Sequence, residues 1–183
     1  MKIAIFGCGA LGSRIASDLA LPGRTFLLWD QDKVSKENLG TSVYTYPDIG
    51  LWKVKALASI LYTRNKCRCD SVNDQFPNPS LLNLPEPYKI DVGVDCFDNR
   101  IARNATLTLS FPVVHVGLSD DAGEVVWNPS EYKYKGVPIC THQLYLPLIA
   151  MTACAGVVAI ERFIRDKVRV SYLVTSDGSV RKF

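Results

Sequence analysis

The apolar positions along this chain switch between two spacings. Lys2 to Phe6 (Lys-Ile-Ala-Ile-Phe) is a short apolar run suited to a buried strand, and Ala10 to Ala20 continues it at helical spacing. Thr25 to Asp30 reads as a second strand ending in an acid, so the first thirty residues predict a βαβ unit. From Gly50 onward, Val54, Leu57, Ala58 and Leu61 recur at helical spacing, and Cys67 to Val72 reads as the next strand. Phe76 to Tyr88 holds Pro77, Pro79, Pro85 and Pro87, which predicts a loop or a short broken helix. Ile90 to Asp95 is then a strand, Ile101 to Leu109 the helix behind it, and Pro112 to Gly117 a fifth strand.

The pattern changes in the last third. Gly123 to Trp127 reads as a solvent-edge strand, Ser130 to Thr141 as a loop and Leu148 to Ile164 as a long helix. Val168 to Val174 and Ser179 to Lys182 read as a closing hairpin around Asp177-Gly178. The expected fold is α/β, a Rossmann-like, mostly parallel sheet flanked by helices, with a C-terminal antiparallel extension, in a single domain over residues 1–183. In such sheets ligands sit beyond the carboxyl ends of the strands. The turn from Gly7 to Gly12, Asp30 and Asp98 are therefore expected to face one crevice.

Composition narrows the function. Twenty-one basic against eighteen acidic residues, with no dense basic cluster, argue against a nucleic-acid partner. The stretch from Gly136 to Ile160 lacks Asp, Glu, Lys and Arg, yet Pro138, His142, Gln143, Pro147 and Gly156 interrupt it. It is read as a loop feeding a buried helix, so no membrane partner is expected. Six cysteines in a chain this apolar fit reduced thiols, and the expected location is cytoplasmic.

Gly7, Gly9 and Gly12 permit a tight turn and close approach by a nucleotide, with helix N-terminal amides facing its phosphates or ribose. Asp30 follows at roughly the 20-residue spacing at which an acid accepts from a ribose hydroxyl. On residues alone, Asp30 is either that ligand or an exposed strand-end acid. Lys53 is either a phosphate lysine or a surface lysine at a helix start. Asp98 is a site acid, an N-cap for the following helix, or both.

Four ordered segments carry a resemblance. Gly7-Cys8-Gly9-Ala10-Leu11-Gly12, the Asp30 to Leu39 stretch with Asp30, Asp32, Val34 and Asn38, Gly50-Leu51-Trp52-Lys53, and Asp95-Cys96-Phe97-Asp98-Asn99 with Arg103-Asn104 are similar to the ubiquitin-activating-enzyme-like adenylyltransferases of the ThiF, MoeB and HesA type. The resemblance implies ATP-dependent adenylation of the C-terminal carboxylate of a small ubiquitin-like, β-grasp protein or sulfur carrier, by a homodimer. It implies that Asp30 binds ribose, Asn38 and Lys53 face the phosphates, Asp98 holds Mg2+, and Asp32 and Asn99 belong to the same nucleotide site. The segment Val137-Pro138-Ile139-Cys140-Thr141 resembles the surroundings of a thioester-forming cysteine; Cys140 is either that nucleophile or a half-buried structural thiol.

The pattern also departs from its relatives. Thr41 stands where many of them carry an arginine, and Arg14 is expected to point elsewhere rather than replace it. Cys67 and Cys69 are separated by one residue, are expected on opposite faces of a strand, and have no Cys-x-x-Cys companions, so no structural zinc is expected. The alternatives are adenylation of a different carboxylate such as a peptide C-terminus, a catalytically silent scaffold paired with an active homologue, and a nicotinamide-dinucleotide-binding protein.

Overall fold

A computed structural model describes residues 1–78, 89–119, 121–127 and 146–183. One eight-stranded sheet organises them, in the order β3-β2-β1-β4-β5-β6-β7-β8. The parallel half comprises β1 (Lys2–Phe6), β2 (Thr25–Trp29), β3 (Arg68–Val72), β4 (Val92–Asp95) and β5 (Val113–Leu118). The antiparallel half adds β6 (Ala122–Val126), β7 (Tyr172–Thr175) and β8 (Val180–Lys182). Among the described residues the α-helices are α1 (Ala10–Leu19), α2 (Lys53–Asn65), α3 (Arg100–Thr106) and α4 (Leu146–Asp166).

The chain runs outward from β1 through β2 to β3, then returns to place β4 on the other side of β1. That reversal opens a crevice between β1 and β4 at their carboxyl ends, because the loops leaving them diverge to opposite sides. In register, Phe6 lies beside Trp29 on one side and Asp95 on the other, so the residues after each of them meet at the crevice mouth.

The two faces of the sheet are covered differently. Ile3, Ile5, Phe26 and Leu28 point into the larger core, where α1, α2 and α4 pack with Ile15, Leu19, Leu57 and Ile160. Ala4, Phe6, Leu27 and Trp29, alternating with them, meet Phe76, Ile90 and Ala102 on the opposite face. Phe76 lies 5.1 Å from the Phe6 ring and 5.0 Å, edge-on, from Trp29, while Trp29 Nε1 donates to Asp74 O at 2.8 Å. This aromatic pad fixes the segment that follows β3 at the rim of the crevice.

Three expectations need correction. The strand read as a solvent edge is β6, which lies inside the sheet between β5 and β7 and is buried along its whole length, Glu124 included. Gly123 permits this: a Cβ there would fall 1.8 Å from Thr152 Oγ1, so α4 crosses β6 at a distance only glycine tolerates. Cys67 precedes β3 rather than belonging to it, and residues two apart on a strand share a face, so the opposite-face argument does not hold. Arg14, treated below, does not point away from the site. The long apolar helix is α4, whose length and mean hydropathy of 1.6 suffice to cross a membrane; half of that stretch is buried in the protein. The predicted loop over Ser130 to Thr141, with Cys140, lies outside the described residues, as do His142 and residues 79–88.

Candidate nucleotide site

The glycine turn is built by two close approaches. Gly7 sits at φ +87°, donating its N–H to Trp29 O at 2.9 Å, and a Cβ there would press on the Cys96 backbone at 3.0 Å. A Cβ on Gly12 would fall 1.9 Å from Gly7 O. Gly9 is different. It caps α1, and a Cβ there would meet nothing within 4 Å, because it faces the open crevice.

Asp30 closes the turn from the side. Its Oδ2 accepts from the Cys8 N–H at 2.7 Å and its Oδ1 from the Asp32 N–H at 2.8 Å. Burial raises the Asp30 pKa above the usual carboxylate value, and the nearby Lys53 charge and the two N–H donors only partly oppose it. The acid read from the sequence as a ribose ligand therefore has a structural duty too. Each carboxylate oxygen has a second lone pair available to a ribose hydroxyl.

Lys53 opens α2, held by its own N–H to Asp32 O at 2.9 Å, and its buried ammonium lies 2.8 Å from Asp32 Oδ2. Burial alone would lower its pKa, but the Asp30 charge and the Asp32 hydrogen bond outweigh it and raise the value. Asn38 ends a single-turn 3-10 helix, Lys36–Asn38, where its Oδ1 accepts from the Ser35 N–H at 2.9 Å.

On the far side of β1, Asp95 is fully buried. Its Oδ2 meets His115 Nδ1 at 3.1 Å and Thr106 Oγ1 at 3.2 Å, and its Oδ1 accepts from the Phe97 N–H at 3.0 Å, so it shapes the turn carrying Asp98. The N-cap of α3 is Asn99, whose Oδ1 accepts from the Ala102 N–H at 2.8 Å. The cap read as one role for Asp98 thus belongs to its neighbour. Arg103 Nε donates to Phe97 O at 2.6 Å and braces the same turn.

These pieces enclose a cleft of about 650 Å³. Its walls include Gly7, Gly9, Asp30, Asp32, Asn38, Lys53, Asp98 and Asn99, together with Thr41, Phe76, Phe97 and Arg103. Gly12 lies behind the turn and Cys140 outside the described residues; every other residue singled out for nucleotide binding borders this one space. Its volume is within the range of small-molecule and cofactor sites.

For a magnesium ion, the acid read from the sequence is Asp98. Among the described residues no group of three or more His, Cys, Asp and Glu converges to hold a metal. Asp98 on the cleft wall nevertheless fits magnesium carried on phosphates, since that ion takes one or two carboxylates and completes its shell with phosphate oxygens and water.

Two residues escaped the sequence reading. Tyr44 is buried and its hydroxyl donates to Cys8 O at 2.7 Å, lying 3.3 Å from Lys53 O, so one side chain links the glycine turn to the start of α2. Ser13 receives the Val43 N–H at 3.3 Å. Ser13 is a polar position inside the α1 pattern and Tyr44 belongs to no helix or strand, so only the place of Tyr44 just beyond the Asn38 motif gave a hint.

The ThiF family model matches residues 1–130. No curated protein matches the chain. Among solved structures, E. coli MccB with ATP superposes with a TM-score of 0.77 at 17% identity, covering 100% of this chain and 63% of that one. The microcin C7 biosynthetic enzyme MccB in complex with N-formylated MccA gives 0.77 at 16%, covering 100% and 64%. PaaA, as its selenomethionine form, gives 0.76 at 19%, covering 100% and 63%. At these identities the likeness establishes the fold, and the chain spans less than two thirds of each neighbour.

Proposed function

The chain belongs to the ThiF family, and we propose that it activates a carboxylate by adenylation with ATP. The observation that carries this reading is Lys53, a buried ammonium bordering the same cleft as the glycine turn and Asp98. Attack by a carboxylate brings two anions together, and a fixed cation there lowers the cost. MccB, which shares the fold, has been solved with ATP.

In the proposed reaction a substrate carboxylate oxygen bonds to the α-phosphorus of ATP. The bond from that phosphorus to the bridging oxygen breaks and pyrophosphate leaves. Asp30 holds ribose, the Gly7 to Gly12 turn receives the phosphates, and Asn38 and Lys53 bind their oxygens. Asp98 would hold a magnesium ion on the phosphates, which would neutralise charge on the departing pyrophosphate. The acyl partner is a ubiquitin-like or sulfur-carrier protein, with a peptide C-terminus as the second candidate. Where a thioester follows, the Cys140 thiolate attacks the acyl carbon and AMP leaves.

Exchange of radiolabelled pyrophosphate into ATP tests this, with ubiquitin-like proteins and free-carboxylate peptides added singly. The reading expects partner-dependent exchange, reduced about a hundredfold in Lys53→Ala. Tight NAD binding without exchange would overturn it in favour of a dinucleotide site. A thiol-sensitive adduct that persists in Cys140→Ala would remove the thioester step.

A further inference from the structure

One cation beside the cleft has no part in that chemistry. Arg14 sits in α1, and its guanidinium is committed to backbone: Nε donates to Thr41 O at 2.8 Å and Nη2 to Gly40 O at 3.0 Å. Two N–H groups of one planar fork on consecutive carbonyls fix both the distance and the angle of the peptide they hold.

The peptide so held is a wall of the cleft. Asn38, Gly40 and Thr41 border the space, while the stretch from Leu39 to Thr45 belongs to no helix or strand. Nothing in the sheet ladder positions it. Beyond its short-range bonds to Lys36, Asn38 and Asp48, side chains fasten it: Arg14 on Gly40 and Thr41, Ser13 Oγ accepting from the Val43 N–H, and the Tyr44 hydroxyl on Cys8 O and Lys53 O. All of these side-chain bonds but the one to Lys53 O reach to residues 8–14, the glycine turn and the first turns of α1. One short segment therefore presents Gly9 and its helix N-terminus to the cleft and helps to hold another wall in place.

We propose that Arg14 is a positioning residue that clamps residues 38–41 against the glycine turn, so that the phosphate-binding space is assembled before a nucleotide enters. It acts on ATP through the wall rather than by touching it. The proposal rests on the nucleotide reading above for its consequence, but its structural half is independent. Preassembly matters because a wall that had to be ordered on binding would subtract its ordering entropy from the affinity.

The test pairs two readouts on the same protein. Amide exchange in the ligand-free chain follows Leu39, Ser42 and Val43, whose N–H groups are bonded to Lys36 O, Asn38 O and Ser13 Oγ. Titration with ATP and magnesium gives affinity. In Arg14→Ala, exchange at those three amides is expected to accelerate at least about tenfold while β1, β2 and β4 keep their protection, and ATP affinity to fall about tenfold. Arg14→Lys, which reaches a single carbonyl, is expected to fall between. Unchanged exchange at the three amides, or unchanged ATP affinity, overturns the proposal. Wild-type protein that binds no ATP overturns the functional reading instead, and the exchange arm then decides the clamp alone.

Discussion

The Cys8 amide donates to Asp30 Oδ2 at 2.7 Å, so the acid that ends β2 is also the latch of the glycine turn that ends β1. The second oxygen accepts from the Asp32 N–H at 2.8 Å. Replacing Asp30 with Ala leaves the buried Cys8 donor and the part-buried Asp32 donor without their acceptor. We expect a loss of about 1–3 kcal/mol in the urea stability of the ligand-free protein, less whatever is regained by no longer burying a charge. An unchanged urea midpoint would mean that the latch contributes nothing.

The three glycines are expected to fail differently. A methyl on Gly12 collides with Gly7 O at 1.9 Å, so Gly12→Ala should destabilise the fold itself. The Gly9 position faces empty space, so Gly9→Val should melt near the wild-type temperature yet lose ATP binding by about tenfold or more, through contact with the nucleotide alone. Melting curves and ATP titrations on both variants check this; equal thermal destabilisation in the two would contradict it.

Lys53 supplies the pH dependence. Its pKa is raised, so its ion pairs contribute fully below the ordinary lysine value of 10.5 and are lost only as pH rises through the higher folded value. Asp32→Asn removes one of the two acids responsible. The titration midpoint of the Lys53 side chain, followed by NMR of its ε-carbon, is therefore expected above 10.5 in the wild type and lower in the variant. Identical midpoints would show that the contact at 2.8 Å does not hold in solution.

The thiols should separate by reactivity. Burial, reinforced by the Asp30 charge at Cys8 and the Asp95 charge at Cys96, raises both pKa values well above the ordinary thiol value, and burial pushes Cys69 up to about 12. Cys154 is exposed. At pH 8, iodoacetamide is expected to label Cys154 first among these, with the buried Cys8 at least about a hundredfold slower, as read by peptide mass spectrometry. Fast labelling of Cys8 would contradict its burial.

Much of this was legible in the sequence, for identifiable reasons. The parallel strands are short apolar runs, and strand-end acids and glycine turns are local signals, so β1, β2, β4 and the crevice between them follow from the chain alone. What escaped depends on partners distant in sequence. Gly123 to Trp127 read as a solvent edge, and only the pairing of β6 with both β5 and β7 shows that it is enclosed. Asp98 and Asn99 are both good caps, and the geometry of one turn decided between them. Tyr44 and Arg14 act through side-chain bonds to backbone, which leave no periodicity to detect.

The central claim is that a triphosphate nucleotide occupies the cleft with Lys53 on its phosphates. Calorimetric titration of wild type and Lys53→Ala with ATP and magnesium, and separately with NAD, addresses it most directly. The account predicts that ATP binds in preference to NAD and that the substitution weakens ATP at least about tenfold, the loss of a charge-assisted contact. Preference for NAD, or equal ATP affinity in the two proteins, would contradict it.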